Sequence, residues 1–560
     1  MEKRDSTYDR WTKDALIKRI RYLESNLRSS EHKPETVQGS TTSTAVEEGV
    51  TSSPKKKKVQ GKIDPSKYST RLVAFKLAYL GKRYGGFEYA SSANLPTIEE
   101  ELWKAFVKAC LIFPEKPDEV NWDSCEYSKC GRTDRGVSAF GQVIAVRVRS
   151  NRPLPKKVEK EQPTEVQQAG ENGIVAESDA ATKEPEKERE FDDFADELQY
   201  CRLLNKLLPP DIRMLAWCPT TPADFSARYD CRERQYRYFF TQPAFAPVPQ
   251  SIENPAHSSR KVKGGWLDIE AMREAAKKFE GLHDFRNFCR VDPSKLNITF
   301  ERRVFESDVV EVKDAETALP FLNREEFRSP GVDSKEKLPK VYYLHVRGTA
   351  FLWHQIRCMV AIIFTVGQGL EDPSVVDRLL DIEAEPRRPN YQLADEVPLV
   401  LWDCIFPRPE KPENALNWVY VGEDSPQNQH GTNGLLSSMW EYWRERKLDE
   451  LLASQLLNVI STQTDISLRK NSKAPLHIPA TTRTYEGGNS ERPVGKYQPL
   501  LQKPKLPSPE EVFDKEARRK GHADAAAMRE ALVRRREEAI AAARTSDLPP
   551  KELLLDEGTE

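Results

Sequence analysis

The chain has 560 residues, 38% hydrophobic and 31% charged, with 39 Pro against 26 Gly, which is too long for a single core and too polar for an uninterrupted globule. Its 86 basic and 88 acidic residues give a net charge of −2, yet residues 151–198 alone hold 14 Asp/Glu and 7 Lys/Arg, leaving −2 − (−7) = +5 for a remainder that could face a polyanion. No run approaches the roughly 18 apolar residues of a membrane span; the start Met1-Glu2-Lys3-Arg4-Asp5 lacks a secretory apolar segment, and nine Cys without a Cys-x-x-Cys pair argue against a disulfide framework or a cysteine-rich zinc site. The expectation is a soluble intracellular protein with no membrane contact and with reduced, mostly buried thiols.

In chain order, Trp11, Leu16, Ile20, Leu23 and Leu27 recur at helical spacing and predict an amphipathic helix within 1–31. Residues 32–69 form a polar, basic linker expected to be disordered, and so is the acidic insertion 151–192, because neither has the apolar area to offset its ordering entropy. Val73, Phe75, Leu77 and Tyr79 alternate as a strand. Thr97 and Glu100 predict a capping box for a helix with Ile98, Leu102, Phe106 and Ala109 on one face. Ile144, Val146 and Val148 alternate again, 198–208 reads as helix, and Tyr236, Tyr238 and Phe240 share one face of a strand. Asp268 caps a helix stopping at Gly281, strands follow near 300–312 and 341–347, and 351–366 reads as a buried helix ended by Gly367 and Gly369. Asp372-Pro373 starts a further helix and 398–406 closes with a strand, a mixed order that predicts an α+β domain over 70–408 rather than a parallel barrel. A partly helical extension (409–510) and a charged helical tail (511–560) complete the predicted layout, with polar runs at 246–264, 325–340 and 469–510 read as excursions or linkers.

Four segments carry candidate chemistry. In Cys130-Gly131-Arg132-Thr133-Asp134-Arg135-Gly136-Val137-Ser138-Ala139, two arginines flank Asp134 and are expected to lower its pKa. An ionised carboxylate in a basic loop can attack an electrophilic carbon, although the same composition also describes a surface turn with an ion pair. From Phe225 to Phe240 arginines interleave with aromatics, a pattern that suits RNA bases and phosphates and equally suits a sheet with a Tyr/Phe core face. In Gly281-Leu282-His283-Asp284-Phe285-Arg286-Asn287, His283 has no partner at metal-ligand spacing and reads as a packing or RNA-contacting residue. In Arg347 to Arg357, Arg357 interrupts an apolar helix and needs an acidic partner, for which Asp134 is a candidate.

Together these segments resemble the TruA family of tRNA pseudouridine synthases over residues 70–406. The loop Gly131-Arg132-Thr133-Asp134-Arg135-Gly136 resembles its catalytic motif, which implies Asp134 as the essential aspartate, Tyr236 as the tyrosine stacking on the target base and Arg357 as the arginine paired with the aspartate. The resemblance further implies RNA-binding roles for Arg132, Arg135, Arg228, His283 and Arg286, and an apolar contact at Leu399, where Glu396-Val397-Pro398-Leu399 departs from the usual glycine-leucine. It implies two ferredoxin-like halves whose mainly antiparallel sheets join around a basic cleft, no metal or organic cofactor, tRNA as partner and a homodimer. Leu204 to Arg213 and Ser138-Ala139-Phe140-Gly141-Gln142 are most similar to the eukaryotic branch, which acts on uridines 38 and 39 of the anticodon arm. A TruA-type enzyme for other tRNA or mRNA uridines, a non-catalytic tRNA-binding chaperone and, remotely, a glycoside hydrolase using Asp134 with Asp284 are the alternatives. Pro54-Lys55-Lys56-Lys57-Lys58-Val59 resembles a basic import signal, so a nuclear and cytoplasmic location is expected.

Overall fold

The computed structural model describes residues 63–154, 190–249, 252, 262–313, 315, 318–333, 335–406, 416–463, 482–494 and 496–545. The amphipathic helix expected in 1–31, nearly all of the basic linker and most of the acidic insertion lie outside them.

The chain begins its sheet with β1 (Ser69–Tyr79), whose alternating apolar residues pack under α1 (Ile98–Lys108). Thr97 caps α1 by accepting from the Glu100 amide at 3.2 Å, so one half of the predicted capping box is present. Ile98, Leu102 and Phe106 are buried as their spacing requires, and Trp103 joins them by donating its indole N–H to the Pro117 carbonyl. After the short β2 (Ser128–Lys129) and the long β3 (Ser138–Ser150) come α2 (Tyr200–Asn205) and β4 (Ile212–Cys218), and β1 pairs antiparallel with both β3 and β4.

The second half repeats the plan as β5 (Glu233–Gln242), α3 (Ile269–Lys277), the edge strand β6 (Gly281–Asp284), β7 (Glu301–Glu311), β8 (Lys340–Gly348), α4 (Gln355–Gly367), α5 (Val375–Leu380) and β9 (Leu399–Ile405). Its strands lie in the order β9-β5-β8-β7, the 4-1-3-2 arrangement of a βαββαβ ferredoxin-like unit. The halves join through one short parallel contact, where Ser138 and Ala139 of β3 face Val400 and Leu401 of β9. The result is one ten-stranded, mainly antiparallel sheet, ending at β10 (Val419–Tyr420) beyond β4 and at β6 beyond β7. Each half has its own apolar core, and Tyr236 borders both.

Two expectations need correction. The helix predicted over 351–366 runs instead from Gln355 to Gly367: His354 sits at φ +61, and the Gln355 side chain accepts from the Leu352 amide at 2.8 Å, holding 351–354 as a loop. The region after 408 is no simple appendage either. The hairpin β11 (Thr482–Gly487) and β12 (Ser490–Val494) buries Tyr485 against Phe364 at 4.9 Å. Leu500 is fully buried, its amide and the Tyr497 hydroxyl both donating to Glu371. Between β10 and that hairpin run α6 (Pro426–His430) and α7 (Leu435–Thr462), a 28-residue helix with no buried residue. In the predicted charged tail, α8 (Pro509–Arg519) and α9 (Ala525–Thr545) insert Phe513, Ala517, Ala525 and Met528 into the second core. A few scattered apolar side chains do this docking, which is why composition alone reads the region as linker and tail. Among the described residues no helix is long and apolar enough to cross a membrane.

Candidate active site

The loop 131–137 leads into β3 where the two halves meet. Tyr79 and Thr133 share a hydroxyl–hydroxyl hydrogen bond of 2.8 Å. Gln142 receives the Gly131 amide at 3.1 Å and donates to the Gly131 carbonyl at 2.7 Å. Gly136 closes the loop at φ +80, and a Cβ there would come 2.6 Å from Glu396 Cγ, so both backbone and space demand glycine. The loop thus has a fixed base, and Asp134 stands half-buried near its tip.

Burial raises the Asp134 pKa above the ordinary carboxylate value; Arg357 and a hydrogen bond from Trp353 oppose this, and Glu396 reinforces it. The sequence expectation of a lowered pKa fails because the flanking arginines point their charge elsewhere. Arg132 pairs with Glu88 at 3.4 Å, and Arg135 is exposed. Arg357 does reach the site electrostatically, but its ion-pair partner is Glu396 at 2.8 Å, with a second bond to the Ala394 carbonyl at 2.7 Å. Arg357 therefore pairs with Glu396 rather than with Asp134 as expected, and Asp134 feels the arginine's charge without a direct bridge. His354 Nε2 lies 3.4 Å from Asp134 Oδ2. Burial, with the cations of Arg357, Arg290 and Arg388, pushes the His354 pKa down to about 4, so near neutrality this contact is made by a neutral imidazole.

Tyr236 lies at the centre of β5, opposite Val346 of β8 and Leu401 of β9. Its ring meets Phe351 edge to face at 5.3 Å, and burial, with a contribution from the charge of Asp134, keeps its phenol protonated. Tyr238 and Phe240, on the same face, are buried core residues, while Arg237 on the opposite face stacks on Trp402 at 3.6 Å and Tyr343 at 4.5 Å. An acid, a half-buried tyrosine and an arginine thus converge at the seam of the two halves, ringed by Trp353, His354 and Phe351.

A family profile described as tRNA pseudouridine synthase matches residues 275–407. The mouse tRNA pseudouridine(38/39) synthase is 33% identical over 503 residues, 89% of this chain and 86% of its own length. The Saccharomyces cerevisiae tRNA pseudouridine(38/39) synthase is 35% identical over 408 residues, 73% of each chain. The chain belongs to the TruA family of tRNA pseudouridine synthases. The likeness extends to archaea, where the tRNA pseudouridine synthase A of Methanoculleus marisnigri is 26% identical over 340 residues, 61% of this chain and 84% of its own.

Within this TruA fold the remaining predicted residues scatter. Arg228 lies over the exposed Tyr229 ring at 5.5 Å, and its carbonyl accepts from Arg234. His283 sits on β6, separated from β5 by β7 and β8, and its Nε2 bonds the Glu280 carbonyl at 2.8 Å. Arg286 is bound by both oxygens of Asp284, so neither is grouped with Asp134, and Asp284 is no acid/base partner for it. Leu399 is 4% exposed in the core opposite Tyr238, and the leucine registered with Tyr236 is Leu401. Four neighbours of the site were not singled out from sequence: Trp353, His354, Glu396, and Arg290, which stacks on Trp353 at 4.6 Å. The signal that would have exposed Trp353 and His354 is the break in the helix at 351–354, which an apolar run conceals.

Proposed function

We infer that this chain is a tRNA pseudouridine synthase that isomerises uridine at positions 38 and 39 of the anticodon arm. The observation that carries the reading is the convergence of Asp134, Tyr236 and Arg357 at the seam of the two halves, in a chain whose curated relatives bear that name. The reaction breaks the N1–C1′ bond of uridine and forms a C5–C1′ bond. A proton leaves C5 and one is gained at N1, so no oxidant, reductant or energy source is consumed. A uridine in an RNA stem must first leave the stack, at a cost of a few kcal/mol, and Tyr236 offers a ring on which the extruded base can stack. Asp134, poorly hydrated at the loop tip, acts as a carboxylate at the ribose, either by attacking C1′ or by removing a ribose proton on the way to a glycal. Arg357, anchored by Glu396 and the Ala394 carbonyl, biases that carboxylate toward its ionised form.

The test is direct: purified protein is incubated with an unmodified tRNA transcript carrying uridines at 38 and 39, and pseudouridine is mapped at single-nucleotide resolution. Product at those positions supports the reading; tRNA binding without product would favour the chaperone alternative, and product only at other uridines or in mRNA would reassign the substrate.

Two finer readings are proposals as well. A homodimer is supported by α7, which exposes Leu436, Trp440, Trp443, Leu452 and Leu456; sedimentation of wild type against Trp440→Glu tests it, a monomeric wild type refuting it. Residence in nucleus and cytoplasm is supported by Pro54 to Val59, outside the described residues, and is checked by imaging a variant with Lys55 to Lys58 changed to Gln.

A further inference from the structure

We propose that Cys130, Cys231 and Cys404 form a three-thiolate site for a divalent, thiophilic d10 metal ion, Zn(II), which ties the base of the Asp134 loop to the strands carrying Tyr236 and Leu401. The lack of a Cys-x-x-Cys pair argues against such a site from sequence, but the fold assembles one from three distant segments. Cys130 precedes the loop, Cys231 precedes β5 and Cys404 lies in β9. Their sulfur atoms all lie within 4.8 Å of one another. Thiolates about 2.3 Å from a shared ion sit roughly 3.8 to 4.0 Å apart, so a small contraction brings three of the four ligands of a tetrahedral Zn(II) into place. All three are buried and none forms a disulfide.

Buried cysteines commonly serve as small apolar side chains, and Cys125, Cys201, Cys218, Cys289 and Cys358 are buried here too. Among the described residues, however, only the trio gathers three potential ligand atoms. A second observation points the same way. Arg234, partly buried beside the trio, donates to the carbonyls of Thr349, Cys130 and Arg228 and, among the described residues, pairs with no carboxylate. A cation in that position calls for nearby negative charge. Three thiolates and a divalent ion sum to −1, which the single charge of Arg234 balances. On binding, each thiol still protonated releases its proton to solvent and no redox change occurs, so affinity falls as pH falls.

The experiment uses the full-length reduced protein under anaerobic conditions, titrated with Zn(II) in competition with a chromophoric chelator and, separately, with Co(II) as a spectroscopic stand-in. The expected result is one tightly held Zn(II) per chain, sulfur-to-cobalt charge-transfer bands on Co(II) addition, and a raised Tm in the loaded protein. Cys404→Ser should abolish both signals, whereas Cys110→Ser, at a half-exposed cysteine outside the trio, should leave them intact. The proposal is overturned if wild type takes up no Zn(II) and shows no charge-transfer bands, a result that does not depend on any variant folding. It is equally overturned if a folded Cys404→Ser binds as wild type does, or if the binding disappears in Cys110→Ser.

Discussion

At Asp134, burial disfavours the charge that the chemistry requires, and Arg357 and Trp353 partly restore it while Glu396 works against them. Because the ionised form is the reactive one, activity should fall as pH drops through a pKa above that of a free aspartate. Arg357→Leu removes a lowering influence, so its acidic limb should move to higher pH with reduced activity at every pH. Glu396→Gln removes a raising influence and frees Arg357, so its limb should move to lower pH. A kcat/KM profile against pH checks both, and coincident limbs for all three proteins would detach Arg357 from the carboxylate. His354 has the opposite linkage to stability. Its folded pKa of about 4 lies below the value near 6.5 of an unfolded chain, so its contribution is complete above pH 6.5 and is lost as pH falls toward 4. That loss amounts to roughly 3 kcal/mol. Denaturant unfolding across this window should show a flatter pH dependence for His354→Asn than for wild type.

Among the elements, those with strong periodicity were legible. β1, α1, β5 and β9 lie where alternation, the Thr97 cap and the closing apolar run place them, and α3 starts at its Asp268 cap but ends at Lys277, short of the expected Gly281, which opens the unpredicted β6. What was not legible was set by single residues acting over long sequence separations. Gln355 and the left-handed His354 delay the start of α4, which brings Trp353 and His354 beside Asp134. Glu396 could not be recognised as the partner of Arg357, because the two meet only through the return of the chain after α5. Likewise, composition hides how the charged tail docks: in the first turn of α9 Met528 is 5% exposed, and Arg529 donates to the Leu296 carbonyl. Met528→Ala should therefore cost about 2–5 kcal/mol, read as a lower urea midpoint at unchanged slope; a change within error would mean α9 is not part of the core. Beyond that turn the helix exposes Arg534, Arg535 and Arg536. Truncation after Val533 keeps the docked turn and should weaken tRNA binding and flatten the slope of log affinity against log salt. Equal slopes for the two proteins would leave those arginines out of the RNA contact.

For the molecule as a whole, the architecture explains why so much of the site could be read from one short motif. The strands of the two halves pair through a single short parallel ladder, and the strand that makes it on the first half, β3, is entered directly from the Asp134 loop. Any residue exchange that opens the seam displaces the acid from Tyr236, which belongs to the other half and packs against both cores. Grip on the polyanion, by contrast, is spread over many exposed cations, so affinity and turnover should separate cleanly. The most direct measurement is made on Asp134→Asn. A carboxyl whose charge burial disfavours is replaced by a neutral side chain of the same size, so its Tm should equal or exceed that of wild type. Its affinity for tRNA should stay within about threefold, while pseudouridine formation at positions 38 and 39 should fall by on the order of 10³-fold or more. Turnover near the wild-type rate in that folded, tRNA-binding variant would contradict the account.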